Sequence, residues 1–128
     1  MQRNTTPCPC GSGKSFDPCC GRHLAGEAAP TAEALMRSRY SAYGLLREDY
    51  LLATWHPSNR PRELGLARDA PVKWLGLEVK RHEQTDADHA VVEFVARYKV
   101  NGRAQRLHEI SRFVREDGRW LYVDGDLP

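Results

Sequence analysis

Beyond position 20 this 128-residue chain has no cysteine; all four lie close together near its start. It also lacks a long hydrophobic run: no stretch approaches the ~20 apolar residues that a membrane-spanning helix needs. The opening residues, Met1-Gln2-Arg3-Asn4-Thr5-Thr6, lack the apolar core of a secretory signal, so a cytoplasmic location is expected. An excess of one charge is missing too, with 19 Lys and Arg against 17 Asp and Glu. A uniform nucleic-acid-binding surface is therefore not indicated, although Arg60, Arg62 and Arg68 form a local basic stretch against one glutamate. There is no internal repeat and no long low-complexity tract. What is present, 41% hydrophobic and 28% charged residues, is the composition of a globular chain. Its length suits one ordinary domain, with or without a small appendage.

The cysteines fall in Cys8-Pro9-Cys10-Gly11-Ser12-Gly13-Lys14-Ser15-Phe16-Asp17-Pro18-Cys19-Cys20, a C-x-C-x8-C-C spacing. In a reducing compartment such a cluster points to metal binding or catalysis and away from a stored disulfide. Residues 1–23 are rich in Gly, Pro and Cys and hold Phe16 as their one large apolar ring, too little to build a core without a metal. Two close cysteine pairs joined by a loop supply the four soft ligands of a tetrahedral zinc site, with Zn–S bonds of about 2.3 Å. Gly11 and Gly13 allow the sharp turn beneath the metal and let backbone N–H groups face the thiolates, and Lys14 adds to that charge offset. With Cys8, Cys10, Cys19 and Cys20 as ligands no position is left for a reactive water, so the expected cofactor is one structural zinc ion. Four thiolates on one Zn²⁺ would also bring the formal net charge of +2 near zero. Two readings compete. One is redox chemistry, against which adjacent Cys19 and Cys20 form only a strained disulfide and C-x-C is not the thioredoxin C-x-x-C. The other places His23 in the position of Cys20.

After a linker-like stretch, residues 25–30, Thr31 is the expected N-cap of a helix, with Glu33 in its first turn. Ala32, Leu35, Met36, Tyr40, Tyr43 and Leu46 recur at helical spacing, and Gly44 weakens or ends the helix. A second short helix is expected over residues 48–54, burying Tyr50, Leu51 and Trp55, before Pro57 and Pro61 open a loop. Residues 72–79, 90–100, 104–114 and 120–123 are rich in β-branched and aromatic residues, as strands are. Asn101-Gly102 and Asp117-Gly118 are tight-turn dipeptides and Asp86-Ala87-Asp88 marks another turn. Helices followed by a four-stranded antiparallel meander make an α+β domain.

The block Cys-Pro-Cys-Gly-Ser-Gly-Lys followed by Cys19-Cys20 resembles the SEC-C motif, the zinc knuckle at the C-terminus of the bacterial preprotein translocase motor. Cys20 stands where many members have His. The resemblance covers about the first 23 residues. It implies a protein-docking zinc module with Cys8, Cys10, Cys19 and Cys20 as ligands, and the export chaperone or the ribosome as the kind of partner. The blocks Leu35-Met36-Arg37-Ser38-Arg39-Tyr40-Ser41-Ala42-Tyr43, Thr54-Trp55-His56-Pro57, Trp74-Leu75-Gly76-Leu77, His108-Glu109-Ile110-Ser111-Arg112-Phe113 and Gly118-Arg119-Trp120-Leu121-Tyr122-Val123-Asp124-Gly125 resemble the YchJ-like family of small bacterial proteins. That resemblance spans nearly the whole chain. It implies an N-terminal SEC-C knuckle (residues 1–27 with its linker), then a nuclear-transport-factor-2-like domain (28–128), a curved sheet wrapped on helices as a cone with a pocket. The second, C-terminal cysteine knuckle that some members carry is lacking here.

In such a cone, inward polar residues are the candidates for binding. His56 follows the second helix, near the expected pocket mouth. On the third strand, period-2 alternation puts His108, Ile110, Arg112 and Val114 on one face and Leu107, Glu109, Ser111 and Phe113 on the other. Both faces are mixed, so either can line the interior: His108 with Arg112 suits an anion, Glu109 with Ser111 a proton acceptor. The plainer reading makes Arg37, Arg39, Glu109 and Arg112 the ion pairs and hydrogen bonds that lock helix to sheet. Trp55, Trp74, Trp120, Tyr40 and Tyr43 then form core or pocket wall. No catalytic set is assigned. The leading expectation is a non-enzymatic module that docks on a protein partner through the knuckle. The alternatives are a small-molecule or enzymatic pocket, and RNA binding through Arg3, Lys14, Arg22 and the Arg60–Arg68 loop.

Overall fold

A computed structural model of the chain describes residues 6–66 and 72–128. Arg3 and Arg68 of the basic reading lie outside them. The described elements are a π-helical turn Asp17–Gly21, a single helical turn α1 (Arg22–Leu24), α2 (Ala32–Gly44), α3 (Glu48–Ala53), and strands β1 (Val72–Asp86), β2 (His89–Val100), β3 (Arg103–Glu116) and β4 (Arg119–Asp126). No described helix is long and apolar enough to cross a membrane.

The ends of α2 follow local chemistry. Thr31 is extended and its hydroxyl accepts from the Ala34 N–H at 3.0 Å, satisfying a donor that the first turn of α2 leaves orphaned. The helix stops at Gly44, and Leu46 at φ 56° turns the chain into α3. The four strands form one antiparallel meander in the order β1-β2-β3-β4. Asn101-Gly102 and Asp117-Gly118 join β2 to β3 and β3 to β4 with positive φ at both residues of each pair, the geometry whose twist matches the flanking strands. β1 continues to Asp86, well beyond the expected residue 79. Its polar second half is held by pairing with β2 as far as Asp86↔His89. Register shifts along β1, and between Arg112 and Phe113 in the β3–β4 pair, mark bulges that bend and twist the sheet.

The concave face receives α2, which packs on β1, β2 and β4. Leu35, Met36 and Tyr40 of α2 meet Ala90, Val92, Phe94 and Ala96 of β2 together with Phe113 and Trp120. At roughly 25 cal/mol per Å², burial of these side chains is the main stabilising contribution of the sheet–helix layer. The segment after α3 is stitched to β4: the Tyr122 N–H donates to the Thr54 carbonyl at 2.8 Å and the His56 N–H to the Tyr122 carbonyl at 2.7 Å. Cys8, Cys10 and Cys20 belong to the same buried cluster as α2 and the sheet, so the cysteine segment rests on the main core.

Candidate functional sites: the cysteine cluster and the cone cavity

The cysteine segment folds back on itself through a bridge between Pro7 and Ser15 and a hydrogen bond from the Cys8 N–H to the Lys14 carbonyl at 2.9 Å. Gly11 and Gly13, at φ 77° and 83°, make the turn between the cysteine pairs. The second pair sits on the π-helical turn, whose backbone leaves helical geometry at Cys19. All four sulfurs lie within 4.8 Å of one another, and Cys10 Sγ is 3.7 Å from Cys19 Sγ. Zn–S bonds of about 2.3 Å would separate tetrahedral sulfurs by roughly 3.8 Å, so the donor set fits a metal of that kind. Cys8, Cys10 and Cys20 are buried and Cys19 is half-buried, and none forms a disulfide.

The surroundings suit thiolates. Ser12 Oγ lies 3.2 Å from Cys19 Sγ and Ser41 Oγ 3.7 Å from Cys8 Sγ. Arg37 Nη1 donates to the Cys10 carbonyl at 2.9 Å while its Nε pairs with Glu33, which ties the cysteine loop to α2. The hydrogen bond from the Cys20 thiol holds the Cys10 thiol down at about 4, whereas that bond and burial hold Cys20 up. Burial also raises Cys19. A bound cation would take the place of the thiol protons, and metal loading would release them. His23, the alternative fourth ligand, lies outside the four-sulfur cluster; its Nδ1 lies 3.0 Å from the Glu27 carbonyl.

The sheet and α2 enclose a cavity of about 260 Å³, walled mainly by aromatic and aliphatic side chains. Its polar lining is Arg39, Glu109, Ser111 and the tyrosines. The concave face of β3 therefore carries Leu107, Glu109, Ser111 and Phe113. Three of the four expected pocket residues lie elsewhere. His108 is on the opposite face, its Nε2 2.7 Å from Glu93. Arg112 is also on the opposite face, paired with Asp124 at 2.6 Å and Asp126 at 2.7 Å. These aspartates, Asp126 first, hold its guanidinium well above its ordinary range. His56 is taken up by Ser58 and Glu116 outside the cavity. The helix α2 settles the matter by covering the other face of the sheet. Of the expected locks between helix and sheet, Arg37 reaches the knuckle and Arg112 stays within the sheet.

Glu109 remains in the cavity, where Ser111 Oγ and Tyr122 Oη donate to its Oε2. Gly125 makes room for it: a Cβ there would sit 2.5 Å from Oε2. Burial, and after it Glu109, pushes the Tyr122 hydroxyl upward. Opposite stands Arg39, only 6% exposed, a wall residue on α2 and not among the four expected pocket residues. Its Nη1 donates to the Leu51 carbonyl at 2.8 Å and Thr54 Oγ1 at 2.7 Å, and its guanidinium lies 4.7 Å from the Tyr122 ring and 5.1 Å from that of Trp55. Burial lowers its basicity. The signal for it was its position, four residues after Leu35 and four before Tyr43, on the apolar stripe of α2.

Comparison with known proteins agrees with this architecture. The family description "YchJ, middle NTF2-like domain" matches residues 31–125, nearly the whole α2-to-β4 unit. The chain belongs to this family. The SEC-C motif matches residues 5–22 of this YchJ-like chain. A UPF0225 protein of Chromobacterium violaceum is 65% identical over 124 residues, covering 92% of this chain and 90% of that protein. Another, from Ralstonia nicotianae, is 61% identical over 134 residues, with 96% and 92% covered. The solution structure of a SEC-C motif containing protein from Rhodopseudomonas palustris superposes with a TM-score of 0.87 at 38% identity, covering 96% of this chain and 99% of that one. A crystal structure of a SEC-C motif containing protein from Psychrobacter arcticus gives 0.80 at 28% identity, covering 100% and 86%.

Proposed function

We propose that this YchJ-like protein is a zinc-binding, non-enzymatic interaction module that docks on a protein partner through its SEC-C knuckle. One observation carries the reading: four sulfurs converge to within 4.8 Å where three of the cysteines are buried against the core, leaving Pro9, Gly11, Gly13, Lys14 and Pro18 facing solvent. Cys8, Cys10, Cys19 and Cys20 would hold one Zn²⁺. With four sulfur ligands the ion's chemistry is structural, fixing the loop's shape and offering no open position for a reactive water. Ser12, Ser41 and Arg37 orient the cluster from outside, as partners of metal ligands do. The solvent-facing loop is then a preorganised surface, which lowers the ordering cost of binding. Free thiols suit a reducing compartment such as the cytoplasm.

Capture from a bacterial lysate tests the reading, with zinc content measured in parallel. The parent chain is expected to hold one zinc and retain a protein partner that the Cys8→Ser/Cys10→Ser variant releases. Because that variant also disturbs the core, Lys14→Ala/Pro18→Ser serves as a surface control that keeps the zinc. Partners retained by both variants would rule out the knuckle as the docking surface. A partner whose capture depends on nuclease-sensitive RNA would move the reading to nucleic acid.

A further inference from the structure

We propose that the cone cavity, independently of the knuckle, binds a small aromatic carboxylate, its ring against the aromatic walls and its carboxylate held by Arg39 and the Trp55 indole N–H. The charges on the cavity wall are unequal in what they have left to bind. Glu109 already accepts from Ser111 and Tyr122, and Gly125 gives it a fitted seat. Arg39 is buried, yet its nearest partners are neutral oxygens, those of Leu51 and Thr54 with the Tyr43 hydroxyl beside them, and among the described residues no carboxylate lies within ion-pair distance, Glu109 acting on it only through space. A buried cation is ordinarily paired. Trp55, another wall residue, has a buried Nε1 with no hydrogen-bond partner, an atom type that normally finds one when buried. A buried cation held by neutral oxygens, with an unpartnered indole N–H on the ring 5.1 Å from it, suits an anionic acceptor.

Size and walls narrow the class. A cavity of about 150 Å³ is enough to take up benzene, so about 260 Å³ has room for one ring with a short polar arm. Tyr40, Tyr43, Trp55, Trp74, Phe113 and Tyr122 offer edge and face contacts to a flat ring. A cationic ligand would meet Arg39.

The test is a titration of the zinc-loaded full-length chain with phenylacetate, followed by amide and indole NMR shifts, with 2-phenylethanol as the uncharged isostere. Phenylacetate is expected to saturate, to shift the Trp55 indole resonance and amides of α2 and β3, and to bind at least tenfold more tightly than the alcohol, as charge-assisted hydrogen bonds do. Arg39→Met should erase that preference. Should that variant fail to fold, Trp55→Phe keeps an aromatic side chain but removes the N–H together with part of the ring; it should weaken phenylacetate several-fold more than the alcohol. Equal affinity for the two compounds, shifts confined to the outer sheet face, no saturable shift with either, or an unaltered preference in Trp55→Phe each overturn the proposal.

Discussion

The knuckle and the cone achieve order by different means within one chain. The cone buries alternate residues of β2 and a stripe of α2, the ordinary route to a core. The knuckle has Phe16 and four sulfurs, and a segment of that size cannot bury enough apolar surface to fold alone. The two are nonetheless joined: Arg37 of α2 holds the Cys10 carbonyl, Ser41 of α2 approaches Cys8, and Cys10 is 0% exposed within the cone's own cluster. A region with little apolar surface of its own can still gain rigidity from a neighbouring core that has it.

Removing the metal is the strongest way to break this comparison. Chelation should release one zinc per chain and abolish amide-exchange protection over residues 8–20, with a lower melting temperature for a cone that stays folded. Full retention of knuckle protection would show that packing alone holds it. Next in size, Leu51→Ala, at a fully buried site in the α3 cluster, should cost about 2–5 kcal/mol in denaturant unfolding while leaving zinc stoichiometry at one. A loss of zinc in that variant would mean that the two regions unfold as one unit. Ser12→Ala should do the reverse, lowering metal affinity about 10- to 100-fold in chelator competition with cone stability little changed. Gly125→Ala drives a Cβ into the Glu109 carboxylate and should cost about 1–3 kcal/mol, without touching the metal. The smallest effect is electrostatic. Arg112 lowers the Asp126 pKa, so the stabilisation from this exposed pair is present at neutral pH and fades as pH falls below about 4. Arg112→Gln should flatten that part of the stability–pH profile, and an unchanged profile would deny the pair any role.

Features set by short-range chemistry were legible before the fold was known. Thr31 as a cap, the Asn101-Gly102 and Asp117-Gly118 turns and the spacing of the four cysteines depend on residues within a few positions of one another. The far half of β1 was not legible, because Lys80 to Asp86 are polar and mostly exposed and become strand only by pairing with β2. The pocket residues were legible only in part. His108 and Glu109 alternate on a strand with two mixed faces, and nothing within the strand says which face α2 will cover. Arg39 was hidden differently: a charge on an apolar stripe looks like a lock between elements until a cavity is found beside it.

The α+β order of elements, the turns that reverse the sheet and a four-thiol donor set can all be read from the chain alone, because each follows from local spacing and backbone preference. Long-range packing set the rest: Glu109 faces inward and His108 outward, Arg39 has no carboxylate within ion-pair distance among the described residues, and the cysteines rest against α2. Those facts depend on contacts between residues far apart in the chain, such as Arg37 with Cys10, where burial and packing of whole elements outweigh any local signal.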